Sequence, residues 1–225
     1  MNDLKIVETF KSLEGEGIRT GLPTVFVRFA GCNLRCSWCD TTYSHTKPEY
    51  TVMTKEELTA KILSYNIKRI TFTGGEPLLD EPMQYIKWFV KEFPSYEVNI
   101  ETNGSVYIPD ELLHAHNTII TMDYKCPSSN MNAFMIRYDY EGKYFHNSLR
   151  PQDVLKFVVA DDTDLQVVLD FVTTRNLKCS IYLSPVFGKM DLQKLANFVI
   201  SHADLNLRMG IQIHKIIWSP ETRGV

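Results

Sequence analysis

Three of the chain's five cysteines, Cys32, Cys36 and Cys39, lie close together in the spacing C-x3-C-x2-C. Thiolates this near in sequence can converge on one inorganic group if the loop curls around it, and iron–sulfur clusters are held by cysteine thiolates. A 4Fe–4S cluster has four irons and the motif offers three ligands. One iron would stay open to a small molecule, as a catalytic zinc site keeps an open position. Two plainer readings stand beside this one. His45, six residues beyond Cys39, completes a Cys3His set for structural zinc. Three core cysteines are the other, although Arg35, Ser37 and Asp40 give the segment the composition of a polar loop. Cys126 and Cys179 stand alone, and Cys179 sits in an apolar run that suits a packed core thiol.

Other polar stretches could serve the same chemistry. In Thr73-Gly74-Gly75-Glu76-Pro77 the glycines let a backbone approach a ligand closely, and the Glu76 carboxylate suits an ammonium group. An ordinary strand-to-helix turn uses the same residue types. Ser12-Leu13-Glu14-Gly15-Glu16-Gly17 reads as a tight loop beside a polar ligand or as a solvated turn. Arg28 interrupts an apolar run and needs an anion there. A ligand carboxylate fits, and so does an ion pair with Glu14, Glu16 or Glu101. Asp40 and Thr41 offer a carboxylate and a hydroxyl to Mg²⁺, which takes few protein ligands. His214 and Lys215 close the set near the end of the chain.

These residues must be positioned by something regular. Strand-like runs cover residues 24–30, 68–73, 96–101, 118–123, 153–159, 178–183 and 209–213. Helices are expected after Thr54, whose spacing to Glu57 forms a capping box, over 82–93, after Pro109, and over 163–175 and 191–202. Residues 127–150 are polar and irregular, a lid or a dimer contact. The alternation predicts an α/β fold with a parallel sheet, either an open doubly wound sheet or a partial barrel. The polar motifs all follow strand ends, which favours the barrel, whose active sites lie at that rim. There is no repeat, low-complexity tract or linker, so residues 1–225 are expected to form a single domain.

The bulk numbers exclude several classes. A chain of 225 residues with 44% hydrophobic and 23% charged residues is ordinary for a globular protein. A net charge of −3 leaves no electrostatic footprint for nucleic acid. No apolar run approaches a membrane span. The first five residues carry no apolar signal region, which points to a reducing cytoplasm, where clustered cysteines are ligands or catalysts rather than disulfides.

The cysteine spacing together with the Gly-Gly-Glu-Pro stretch resembles the radical S-adenosylmethionine superfamily. The loop at 12–17, Arg28, Cys39-Asp40-Thr41, the stretches 73–77, 101–104, 123–129 and 184–188, and Gln212-Ile213-His214-Lys215 narrow the likeness to the 7-carboxy-7-deazaguanine synthases, over nearly the whole chain. The resemblance implies a partial (β/α)6 barrel, usually a homodimer. It implies that the substrate is 6-carboxy-5,6,7,8-tetrahydropterin and the product 7-carboxy-7-deazaguanine, precursor of queuosine and archaeosine. In that family the reduced cluster cleaves S-adenosylmethionine to a 5′-deoxyadenosyl radical, the radical abstracts hydrogen from C6 of the pterin, the ring contracts with loss of ammonia, and the cofactor is regenerated.

Residue by residue, Cys32, Cys36 and Cys39 resemble the cluster ligands and Thr41 the Mg²⁺ ligand. Trp38, Cys39, Asp40, Gly75, Asp123, Lys125 and Ser184 fall where the family contacts S-adenosylmethionine. Leu13, Glu14, Gly15, Glu16, Arg28, Thr73 and His214 fall on the pterin side. No catalytic side chain is implied, because the radical carries the chemistry. A flavodoxin- or ferredoxin-like protein is the expected electron donor, with no nucleic acid or membrane partner. Two rivals remain at this point: a glycyl-radical activase, which shares the cysteine spacing, and a zinc-binding module without catalysis.

Overall fold

The computed structural model describes residues 3–225. Strand β1 (Leu4–Leu13) turns back through residues 14–22 into β2 (Pro23–Phe29). After the cysteine loop come β3 (Thr51–Met53), α1 (Lys55–Ser64), β4 (Arg69–Gly74), α2 (Asp80–Glu92), β5 (Glu97–Thr102), α3 (Asp110–Leu113) and β6 (Thr118–Lys125). A connection built of short 3-10 turns leads to β7 (Val154–Val159), followed by α4 (Asp162–Thr173), β8 (Ser180–Pro185), α5 (Leu192–Ser201), β9 (Leu207–Met209) and α6 (His214–Ile217). The strands form one sheet in the order β3-β1-β2-β4-β5-β6-β7-β8-β9. From β2 to β9 every neighbour is parallel, while β1 runs antiparallel to both β2 and β3. The sheet curls without closing, the partial β/α barrel that the sequence predicts.

The outer face is sealed by helices with explicit start signals. Thr54 and Glu57 form the full capping box of α1, and Asp161 and Asp191 cap α4 and α5 by accepting from Asp164 N and Lys194 N. Phe29 and Phe72 of the sheet pack against Tyr85 and Phe89 of α2, with ring centroids 5.7–6.0 Å apart along the chain of contacts. All four rings are fully buried, worth roughly 2–3 kcal/mol each in apolar surface withdrawn from water.

Side chains alternate along a strand, so the opposite face of β4–β7 carries a second, polar pattern. Thr71, Asn99 and Thr121 form one inward layer: Thr121 donates to Asn99 Oδ1 at 2.8 Å and Thr71 to Glu14 Oε2 at 2.6 Å. Two residues further along come Thr73, Glu101 and Asp123, joined by Lys156, which is in register with Asp123. The barrel interior is thus a satisfied polar floor beneath a charged layer.

Three boundaries differ from the sequence reading. The stretch at 12–17 is not wholly a loop, because β1 extends through Leu13; its burial pattern is irregular and broken by a register shift near Ile6 and Glu8, which hides the alternation. The strand expected over 209–213 ends at Met209. A Cβ on Gly210 would lie 2.8 Å from Ser184 Oγ, and the chain then leaves the sheet so that Ile213 N can reach Gly15 O at 3.2 Å. His214 therefore opens α6 instead of following a strand directly. Tyr124-Lys125 and Ser184-Pro185 are the last residues of β6 and β8, not the first residues beyond them.

Candidate active site

The rim of the curled sheet encloses a cavity of about 770 Å³. Cys32, Cys36 and Cys39 line it, and so do Leu13, Glu14, Gly15, Glu16, Arg28, Trp38, Asp40, Thr41, Thr73, Gly75, Asp123, Lys125, Ser184 and His214; Glu76 does not. The three thiols face one space but are not drawn to a single point: among the described residues no three His, Cys, Asp or Glu side chains could hold one metal ion. His45, the fourth member of a zinc set, approaches only Cys39, with Nε2 3.5 Å from Sγ. Burial raises the Cys32 thiol and pushes Cys36 up to about 11, so these groups give up their protons chiefly to a metal.

The cysteine loop is braced on two sides. Its start packs on the glycine turn after β4: Glu76 N donates to Gly31 O at 2.8 Å and Gly75 N to Phe29 O at 3.0 Å. A Cβ on Gly75 would lie 1.6 Å from Gly31 O, so only glycine permits this approach. The Glu76 carboxylate does not face a ligand as the sequence reading allows. It is buried and accepts from Leu78 N, Thr102 Oγ1 and Asn103 N at 3.0, 2.8 and 2.7 Å, tying the β4 turn to the β5 turn. Asn103 in turn points Nδ2 at Cys32 Sγ, 3.7 Å away. The second brace is the irregular connection between β6 and β7. Ser128 O accepts from Ser37 Oγ at 2.6 Å, Ser129 O from Ser37 N at 3.0 Å, and Ser128 Oγ from Trp38 Nε1 at 3.1 Å.

The wall opposite the cysteines is a chain of alternating charges. Lys125 Nζ lies 2.9 Å from Asp123 Oδ2 and 4.9 Å from the centre of the Trp38 ring. Lys156 Nζ lies 3.7 Å from the same Asp123 oxygen and 3.2 Å from Glu16 Oε2, which also accepts from Gln212 Nε2 at 3.3 Å. Burial opposes the Glu16 charge, but Lys156 and Gln212 outweigh it and hold the carboxyl below its ordinary value. Burial likewise opposes the Asp40 charge, and Lys215, 2.9 Å away, more than offsets it. Asp40 is therefore engaged by α6, while Thr41 Oγ1 stays 3.6 Å from Cys39 Sγ. Glu101 goes the other way: burial, with Glu14 and Glu16 beside it, pushes its carboxyl up to about 7 against the pull of Lys156. Burial keeps the His214 imidazole toward its neutral form, with Nδ1 so close to Gly15 that a Cβ there would lie 2.2 Å away.

Arg28 has a partner that the sequence did not single out. Its Nε donates to Glu8 Oε1 at 2.6 Å, and Tyr43 OH donates to the same oxygen at 3.0 Å. The ion pair is with neither Glu14, Glu16 nor Glu101. Glu14 is instead buried against Arg19 Nη2 at 3.0 Å. Lys156, Glu8 and Arg19 are thus residues of the site or its support that sequence reasoning missed, and Gln212, named only as part of a matching stretch, gains a role as a donor to Glu16. Lys156 carried the same signal that exposed Arg28, a cation inside the apolar run Val154-Leu155-Lys156-Phe157-Val158-Val159.

The residues fit an iron–sulfur cluster with a polar organic ligand. Three thiols line one wall, and the facing walls hold buried oxygens with no partner among the described residues: Glu16 Oε1, Asp123 Oδ1 and Ser184 Oγ. Such atoms are expensive to leave unpaired unless a ligand meets them.

Comparison with known proteins agrees with this chemistry. The family model of the radical SAM superfamily matches residues 26–144. A 7-carboxy-7-deazaguanine synthase of Clostridium acetobutylicum is 41% identical over 98% of this chain and 99% of its own length. One from Methanospirillum hungatei is 37% identical, covering 96% of this chain and 86% of that protein. Among solved structures, QueE from Escherichia coli superposes with a TM-score of 0.66 at 21% identity, over 93% of this chain and 94% of that one, a likeness of fold. With identity of this order over nearly the whole chain, the chain belongs to the 7-carboxy-7-deazaguanine synthase family of the radical SAM superfamily.

Proposed function

We propose that the protein converts 6-carboxy-5,6,7,8-tetrahydropterin to 7-carboxy-7-deazaguanine with loss of ammonia, in 7-deazapurine biosynthesis. The observation that carries this reading is the meeting of two sets of residues in one cavity: the cysteine wall expected to hold cluster and S-adenosylmethionine, and the Glu16, Arg28 and His214 wall expected to hold the pterin. A glycyl-radical activase or a zinc module is not favoured, because the full-length relatives are synthases. The test is turnover: the anaerobically reconstituted protein should release 7-carboxy-7-deazaguanine and ammonia in equal amounts, and an intact pterin would reject the reading.

Cys32, Cys36 and Cys39 would hold the cluster, and Trp38, Cys39, Asp40, Gly75, Asp123, Lys125 and Ser184 would surround S-adenosylmethionine. When bound, the pair supplies a 5′-deoxyadenosyl radical for hydrogen abstraction from the pterin. The chain's own residues bind, orient and shield. Arg28 uses Nε on Glu8, and its terminal nitrogens remain for the pterin carboxylate, whose geometry a guanidinium fork matches. Glu16 keeps a charged acceptor for N–H donors of the ring. Leu13, Glu14, Gly15, Thr73 and His214 complete that wall. His214, neutral, can accept or donate without adding charge. Ring contraction of a carboxylated substrate requires one orientation throughout, which these contacts enforce.

Mg²⁺ is part of the proposal: the Thr41 hydroxyl would hold it, and the ion would supply positive charge to orient the carboxylated substrate. Activity should rise with added Mg²⁺ and fall with EDTA while iron content stays constant. Thr41→Ala should raise the Mg²⁺ concentration for half-maximal activity roughly tenfold, and Thr41→Ser should retain most of the response. An unchanged Mg²⁺ titration in Thr41→Ala would make the threonine an ordinary loop residue. A flavodoxin- or ferredoxin-like electron donor, a homodimeric state, a single domain and a cytoplasmic setting complete the reading. No helix among the described residues is long and apolar enough to cross a membrane.

A further inference from the structure

Lys156 occupies a position that neither the cysteine motif nor the glycine turn explains. It projects from β7 into the cavity, in register with Asp123 on β6, and its side chain is only 12% exposed. On one side Nζ lies 3.2 Å from Glu16 Oε2, in the loop between β1 and β2. On the other it lies 3.7 Å from Asp123 Oδ2. Each carboxylate therefore has one oxygen turned to Lys156. In each, the second oxygen, Glu16 Oε1 or Asp123 Oδ1, is buried and has no partner among the described residues. A carboxylate with one oxygen anchored and the other bare is an acceptor of defined direction. Glu16 and Asp123 both line the cavity, one on either side of the Lys156 ammonium group.

We infer that Lys156 is a positioning residue that joins the two halves of the site, aiming Glu16 Oε1 at N–H donors of the pterin and Asp123 Oδ1 at hydroxyl or ammonium donors of S-adenosylmethionine. The inference rests on the synthase reading and adds to it the residue that makes the two binding sites mechanically one. Lys156 acts through its neighbours and is not a base, since Glu16, Asp123 and Glu101 together stabilise its ammonium form against burial. Without that cation, Glu16, Glu101 and Asp123 crowd one poorly solvated wall with Lys125 beside Asp123 and Arg28 near Glu101 as counter-charges. Like charges in such surroundings separate or take up protons, and either response misdirects the two free oxygens.

The distinguishing feature is that one substitution should disturb two ligands. In anaerobically reconstituted holoenzyme, Glu16→Gln is expected to raise KM for the carboxypterin while leaving the calorimetric Kd of S-adenosylmethionine within about twofold. Asp123→Asn is expected to raise that Kd by itself. Lys156→Met should raise both by about tenfold or more, because each loses a charge-assisted contact of more than about 1.4 kcal/mol. Its iron content should equal that of the wild type, and Lys156→Arg, which keeps the cation, should recover part of each loss. A purely structural lysine would lower iron content and thermal stability together and would not separate in this way. If Lys156→Met proves too unstable, Lys156→Met combined with Glu16→Gln leaves one buried negative charge fewer and is compared with Glu16→Gln alone; the Kd for S-adenosylmethionine must still rise. A wild-type protein that turns the pterin over, beside a lysine variant that binds both ligands normally or loses only one, overturns the inference alone. A wild-type protein with a full cluster and no product overturns the synthase reading, and the inference with it.

Discussion

Alanine at Cys36 is expected to leave a folded protein that holds no complete cluster and cleaves S-adenosylmethionine at background level, a loss of about 10³-fold or more. The same holds for Cys32 and Cys39. The fold should survive because none of the three thiols is a fully buried core group and the loop has other anchors. Gly31 N donates to Ser44 O at 2.8 Å, and Ser37 is held by Ser128 and Ser129. Cys126 and Cys179 give the contrast. Both are buried among apolar neighbours, far from this role, and their alanine variants should keep iron, sulfide and cleavage activity at a modest cost in stability, about 1 kcal/mol for the lost packing. Iron and sulfide analysis with 5′-deoxyadenosine assays decides the matter. A full iron complement in Cys36→Ala would remove Cys36 from the ligand set.

The second large effect is expected at Gly75. An added methyl group would fall 1.6 Å from Gly31 O, 2.2 Å from Gly31 C and 2.8 Å from Cys32 N. These are backbone atoms and cannot rotate away, so either the β4 turn or the start of the cysteine loop must move. Gly75→Ala should cost about 3 kcal/mol or more in unfolding free energy and reduce cluster loading as well, since Cys32 follows the displaced Gly31 directly. Gly21→Ala is the control. Gly21 has φ +85° but nothing within 4 Å of the added group, so backbone strain alone applies, about 1 kcal/mol, with normal iron content. Denaturant midpoints and iron content, measured on the same preparations, separate the two. Equal midpoints for the Gly75 and Gly21 variants would show that the turn and the loop yield to one another more easily than their contact implies.

The legible part of this chain was the part with strong local patterning. Apolar runs such as Ile70-Thr71-Phe72 announced the parallel strands, and Thr54 with Glu57 announced a helix start that the structure reproduces atom by atom. Cysteine spacing and glycine pairs stood out because few other uses explain them. What escaped was set by contacts distant in sequence. Strand β1 mixes Lys5, Glu8 and Lys11 with Ile6 and Phe10 and owes its existence to pairing with β2, so its own pattern says little. The course of residues 210–213 depends on reaching Gly15, nearly two hundred residues earlier. The partner of Arg28 is Glu8, and only the antiparallel register that puts the two side by side reveals it. Glu76 was readable as an acid near a ligand, yet the three donors that claim it lie in its own turn and at the end of β5. Within the irregular stretch 127–150, Ser128 and Ser129 brace the cysteine loop with two carbonyls and a hydroxyl, contacts that no periodic pattern announces.

In the proposed function, the cavity between the cysteine wall and the Glu16–Arg28 wall carries out a radical ring contraction of a carboxylated pterin. The direct measurement is mass analysis of the products after the reduced, cluster-loaded protein is incubated with 6-carboxy-5,6,7,8-tetrahydropterin, S-adenosylmethionine and Mg²⁺. The expected result is a product lighter than the substrate by one ammonia, formed over many turnovers, with 5′-deoxyadenosine remaining far below the amount of product because the cofactor is regenerated. Cleavage of S-adenosylmethionine with the pterin recovered unchanged would contradict the account.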